Sequence, residues 1–199
     1  MRQFFTSDTH FGHANIIKYS KRPFATAEEM DHELIRRWNE IVQPGDTVYH
    51  LGDFAVGGGP AEQYLEKLNG NIVLIVGNHE NRALRCLNRF KNVAGLLEIE
   101  VKIQEDGKTI KQAITLCHYA MKVWNKSHHG AWQLYGHSHG TLPDPQDARQ
   151  FDVGVDCWDF RPLTVEQIQA KMATKTWVPV DHHNADTTGD RGRTVLSSA

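Results

Sequence analysis

The chain is expected to be α/β, with two mixed β-sheets packed face to face and helices outside. Three observations point there. Ile72 to Val76 is an unbroken aliphatic run, the pattern of a strand buried on both faces. The first half of the chain alternates such runs with amphipathic helical stretches. In the second half the period changes: Leu97, Ile99, Val101 and Ile103 alternate with Glu98, Glu100, Lys102 and Gln104, and Asp106-Gly107 then signals a hairpin.

In chain order, Arg2 to Thr6 reads as a short strand running into Ser7-Asp8-Thr9-His10. If that segment stays extended, Asp8 and His10 point to one face. Thr26-Ala-Glu-Glu29 fits a capping box. Met30, Leu34, Trp38, Ile41 and Val42 continue at helical spacing until Pro44-Gly45. Thr47 to Leu51 is a second strand, ending in Gly52-Asp53. Gly57-Gly-Gly-Pro60 lacks the Lys and Ser/Thr of a phosphate-binding loop, so Pro60 is read as the first position of a helix whose inner face is Tyr64, Leu65 and Leu68. The central strand, 72–76, ends in Gly77-Asn78-His79-Glu80, and Asn81 to Arg89 is expected to be helical. The return strand of the hairpin, Thr109 to Leu116, leads into Cys117-His118. Ala131 to Tyr135 is a strand leading into Gly136-His137-Ser138-His139, and Phe151 to Val155 is another. Thr164-Val-Glu-Gln167 opens a last helix. Residues 1–180 are expected to form one domain. Residues 181–199, polar and without periodicity, are expected to form a disordered tail.

Composition narrows the function. A net charge of −2 gives no footprint for duplex nucleic acid, and no apolar run is long enough to span a bilayer. Three scattered cysteines without a C-x-x-C suit a reducing cytoplasm better than a disulfide framework. The 12 histidines matter because imidazole is the commonest metal ligand and acid–base group. Each strand-end motif alone is weak. Taken together, Asp8/His10, Asp53, Asn78, His118 and His137/His139 place metal-type ligands at the ends of five strands.

The series Asp8-x-His10, Gly52-Asp53, Gly77-Asn78-His79-Glu80, His118 and Gly136-His137-x-His139 resembles the calcineurin-like metallophosphoesterase superfamily, over residues from about 4 to 172. The resemblance implies an αββα sandwich with a dinuclear site at the sheet ends. It implies that Asp8, His10 and His139 hold a first divalent ion and Asn78, His118 and His137 a second, with Asp53 bridging. Manganese is the leading expectation, with iron, zinc, nickel, cobalt or magnesium as alternatives. By formal counting, Asp8, Asp53 and a bridging hydroxide leave about one positive charge on such a cluster, which attracts phosphate. The implied activity is hydrolysis of a phosphodiester or nucleotide-type ester by that hydroxide, with His79 as general acid and Glu80 orienting its imidazole. The alternatives are a nuclease on short or single-stranded nucleic acid and a non-enzymatic scaffold of the same fold. Gly52-Asp53 is followed by Phe-Ala-Val-Gly and not by the Asp-Arg of the protein-phosphatase branch, which disfavours a Ser/Thr protein phosphatase. His13, Asn15 and Arg22 follow the first ligands closely and are candidates to touch substrate phosphate, with a solvated loop as the other reading. His50 lies within a strand and is expected to be structural.

Overall fold

The computed structural model describes residues 1–178. The expected C-terminal tail lies outside the described residues. Nine strands are present among them: β1 (Gln3–Thr6), β2 (Thr47–His50), β3 (Asn71–Ile75), β4 (Asn92–Ala94), β5 (Leu96–Glu105), β6 (Lys108–Cys117), β7 (Trp132–Tyr135), β8 (Gln150–Asp152) and β9 (Leu163–Thr164). The helices are α1 (Ala14–Tyr19), α2 (Ala27–Ile41), α3 (Glu62–Leu65) and α4 (Val165–Met172).

The strands form two mixed sheets. The first runs β4-β3-β2-β1-β9, with β1 to β4 parallel and β9 antiparallel to β1. The second runs β5-β6-β7-β8, an antiparallel hairpin followed by two parallel pairings. Alternation along each strand divides the core in two. Phe4, Val48, Ile72 and Leu74 face a helix-side cluster with Met30, Leu34 and Trp38 of α2. Phe5, Leu51 and Ile75 face the other way, onto Val101, Ile114, Leu116 and Leu134 of the second sheet. Each such side chain, taken fully from water, contributes roughly 1.5–3 kcal/mol. The first sheet is thus covered on both faces, as its unbroken apolar runs require.

Local signals mostly act as read. The Thr26 hydroxyl accepts from Glu29 N–H, although the Glu29 carboxylate reaches back to Ala25 N–H, one residue before the cap. Thr164 and Gln167 form the complete reciprocal box. Asp106 and Gly107 both take positive φ, as a two-residue hairpin turn requires. Three expectations change. The helix expected from Pro60 is a single turn starting at Glu62. The segment after Asn81 is a 3-10 helix, Ala83–Arg89, broken at Cys86. The strand expected over 151–155 ends at Asp152, because Val155 already opens a 3-10 turn.

The two sheets meet at one corner. Ser7, just past β1, bridges in parallel to Gly154, just past β8, and Val155 N–H donates to Ser7 C=O. This join draws the carboxyl ends of β1, β2 and β3 beside those of β6 and β7.

Candidate metal centre

All seven expected ligands lie at that corner. Asp8, His10 and His139 form one group, and Asp53, His118 and His137 another; the ligand atoms within each group lie within 4.8 Å of one another. Asn78 joins the second group, with its Oδ1 3.0 Å from His118 Nε2. Asp53 stands between the groups. Its Oδ2 is 3.4 Å from His10 Nε2, and its Oδ1 is 3.6 Å from His118 Nε2.

The backbone that aims these groups is not extended. Ten residues other than glycine have positive φ among those described, and five are expected ligands: Asp8, His10, Asp53, His137 and His139. A left-handed backbone is unfavourable for any residue with a Cβ, although Asp and His tolerate it better than most. Strain gathered at one place marks a site that the surrounding fold enforces. The expectation that Asp8 and His10 share a face through extended geometry is therefore corrected: tight left-handed turns bring them together.

Hydrogen bonds fix each turn. Asp8 N–H donates to Gly52 C=O, and His10 N–H to Asp53 C=O. His137 N–H donates to Asp8 Oδ2 at 2.9 Å, and His79 N–H to Asp53 Oδ1 at 2.8 Å. Gly136 makes the first of these possible, since a Cβ there would lie 2.0 Å from Ser7 Oγ and 2.4 Å from Asp8 Oδ2. His118 Nδ1 lies 2.7 Å from Leu51 C=O, which selects the Nδ1–H tautomer and leaves the Nε2 lone pair facing Asn78 and Asp53.

The donor set fits a cation. Asp8 Oδ1 and His10 Nε2 are buried and have no hydrogen-bond partner, yet they face each other at 3.9 Å. His139 Nε2 is also 3.9 Å from Asp8 Oδ1. Orphaned buried polar atoms are expensive, and convergent ones need a shared partner. Two ligand atoms each roughly 2.0–2.2 Å from one transition-metal ion lie about 3–4 Å apart, the spacing found here. Without a cation, burial pushes the Asp8 carboxyl up to about 8. Burial pulls His10 and His118 below the ordinary imidazole value, so both are neutral and able to donate lone pairs.

The remaining expectations divide. His79 is exposed beside the groups, with its ring centroid 5.8 Å from that of His10, and it lines a cleft of about 650 Å³ together with His13, Tyr19 and Lys21. Asn15 is exposed on α1 but does not line the cleft. Arg22 is a correction: its side chain is wholly buried and bound inside the protein, so it does not face substrate. Glu80 is a second correction. One oxygen accepts from Phe54 N–H at 2.9 Å and the other is buried without a partner, so the carboxylate anchors the loop carrying Asp53 and does not orient His79. Burial raises Glu80 to about 7. His50 is structural as expected, buried with its Nε2 2.9 Å from Thr9 Oγ1. Sequence reading missed Asp156, whose Oδ2 lies 2.7 Å from His139 Nδ1. Its only sequence signal is an acidic residue after a short strand.

A sandwich of two mixed sheets with clustered carboxylate, imidazole and amide ligands at the strand ends defines a metal-dependent hydrolase. The chain matches the sequence model described as calcineurin-like phosphoesterase over residues 1–190, and it belongs to that family. Members are metal-dependent, and this chain is a hydrolase of phosphoric esters. It is 51% identical over 170 residues to an uncharacterized protein of Methanocaldococcus jannaschii, covering 81% of this chain and 86% of that one. It is 29% identical over 189 residues to the gene 66 protein of a Mycobacterium phage, covering 80% and 90%. A crystal structure of a protein of unknown function from Aquifex aeolicus shares the fold, with a TM-score of 0.61 and 21% identity over 85% of this chain and 98% of that one. Among the described residues, no helix is long and apolar enough to cross a membrane.

Proposed function

We propose that one domain over residues 1–180 hydrolyses a phosphodiester or nucleotide-type phosphate ester at a dinuclear centre, with manganese as the leading metal. Asp8, His10 and His139 hold one ion, Asn78, His118 and His137 the other, and Asp53 contacts both. The observation that carries this reading is Asp53, whose two carboxylate oxygens face different ligand groups. Two divalent ions in such a site supply Lewis-acid polarisation of the phosphoryl oxygens and make water nucleophilic at neutral pH. The chain's own residues do the rest. His118, locked by Leu51 C=O, presents Nε2 inward. Asn78 ligates through a neutral oxygen and so keeps the site cationic. His79 stands in the cleft with a free imidazole edge and donates a proton to the leaving oxygen. His13 lines the same cleft and contacts the substrate phosphate. The open cleft suits a small ester or nucleotide. The free cysteines Cys86, Cys117 and Cys157 support a reducing, cytoplasmic setting.

Metal-stripped protein reconstituted with excess Mn²⁺ is expected to carry two ions per chain. It is expected to hydrolyse members of a panel of cyclic nucleotides, nucleotide pyrophosphates and short oligonucleotides. Uptake of one ion or none overturns the dinuclear reading. Turnover of oligonucleotides alone would favour a nuclease.

A further inference from the structure

We propose that Arg22 and Asp156 are positioning residues that set the tautomer and direction of His139, and through it the cation affinity of the Asp8/His10/His139 group. This rests on reading that group as a cation sub-site.

Arg22 and Asp156 are 134 positions apart and form a bidentate pair, Nε to Oδ1 and a terminal nitrogen to Oδ2, both at 2.8 Å. The Arg22 side chain is 0% exposed and that of Asp156 7%. Every N–H of the guanidinium is used. Beyond the pair, the terminal nitrogens donate to Thr9 C=O at 2.9 Å, Asp8 C=O at 2.7 Å and Met30 Sδ at 3.3 Å. Arg22 therefore grips the carbonyls of the strained turn that carries Asp8 and His10. Asp156, in the same arrangement, takes His139 Nδ1 at 2.7 Å on the oxygen it shares with Arg22. One ion pair thus ties together both turns that supply the first group.

Energetics argue against a purely stabilising role. A buried ion pair seldom outperforms apolar packing of equal volume, because both charges must be desolvated. Its value lies in direction. A carboxylate on Nδ1 holds the imidazole as the Nδ1–H tautomer and raises the basicity of Nε2. Here that Nε2 faces Asp8 Oδ1. Arg22 in turn fixes the carboxylate, which would otherwise be free to rotate away from the ring. Neither Arg22 nor Asp156 bonds directly to Asp53, Asn78, His118 or His137, so the larger effect falls on one sub-site.

The test is a Mn²⁺ titration of metal-stripped wild type, Asp156→Asn and Arg22→Lys, with circular dichroism as the fold control. Imidazole ¹⁵N shifts of the cation-free proteins at alkaline pH accompany it. Asparagine keeps the volume but turns an N–H₂ toward donors. Lysine keeps the charge but cannot reach the carboxylate and both carbonyls at once. Each variant is expected to lose roughly 10- to 100-fold in affinity for one ion and to weaken the other far less. Wild-type His139 is expected as the Nδ1–H tautomer, lost in Asp156→Asn. Unchanged affinity, equal weakening of both ions, or an Nε2–H tautomer in the wild type overturns the proposal, and this last result needs no variant to fold. A wild type that binds a single ion sinks the dinuclear reading, while the weakening of that ion still decides this one.

Discussion

His79 shows how a backbone group and its side chain can be separated by experiment. Its N–H holds Asp53 Oδ1 at 2.8 Å, while its imidazole stands in the open cleft. His79→Ala keeps the N–H, so the ligand geometry survives and both ions are expected to stay. What goes is the proton for the leaving oxygen, worth roughly 100- to 10,000-fold. The loss is expected in kcat/KM on a nucleotide ester, whose alkoxide needs that proton. It should be much smaller on a nitrophenyl phosphodiester, whose leaving group is already a weak base. Equal losses on both substrates assign His79 to phosphate binding, and loss of an ion makes it a ligand. At this scale the sequence was readable in residue types but not in geometry. Asp8, His10, Asp53, Asn78, His118, His137 and His139 stood out because each follows an apolar run. Arg22 misled, because nearness in sequence to Asp8 and His10 does not say which side of the turn a long side chain takes. Asp156 was invisible, because its partners lie 134 and 17 positions away.

The elements that sequence revealed are those whose pattern is set by burial. β3 and α2 have unbroken or periodic apolar faces, and the β5–β6 hairpin has both alternation and a turn dipeptide. β4 and β9 were missed because three and two residues carry no period, and only their sheet neighbours define them. The six-residue α1 was missed for the same reason, having no side-chain cap at His13 and one buried residue. Nor could the sequence show that strand ends from different sheets come within contact distance, which is where Gly136 acts. It ends β7 in the second sheet while lying against Ser7 and Asp8 at the end of β1 in the first. Its own φ is not in the left-handed region, so what it supplies is space. Gly136→Ala is expected to fold, since the overlap is confined to the corner and the two cores are untouched. The overlap must push Ser7 and Asp8 aside, and with Asp8 goes the oxygen that holds His137 N–H. Mn²⁺ uptake should then fall to at most one ion, with activity reduced at least 100-fold, as expected when reacting groups shift by about 1 Å. Full uptake by the variant would show that the corner yields without consequence.

For the whole molecule, the site is a concentration of unfavourable terms that a cation can relieve. Asp8 is buried, its Oδ1 has no partner, and left-handed turns surround it. Cation-free protein should therefore be markedly less stable than loaded protein. A ligand bound only by the folded state at 1,000 times its Kd adds about 4 kcal/mol. At roughly 2–4 °C per kcal/mol for a chain of this size, one site alone raises Tm by about 8–16 °C. The pH dependence has a definite sign. Burial raises Asp8 from 3.8 to about 8 in the cation-free protein. Between those values the folded state holds a proton that the unfolded state has released, so this group makes cation-free stability fall as pH rises. With a cation bound, Asp8 is ionised in both states and the slope from it disappears. The gap between loaded and cation-free protein should consequently widen from about pH 4 to pH 8. Protons competing for His139, which the Asp156 hydrogen bond holds above its ordinary value against the lowering effect of burial, act in the same direction. Melting curves with Mn²⁺ and with chelator, taken across this range, measure the gap directly. A gap that is absent, or that narrows toward pH 8, would mean that the buried carboxylate at the sheet corner is not what the cation binds.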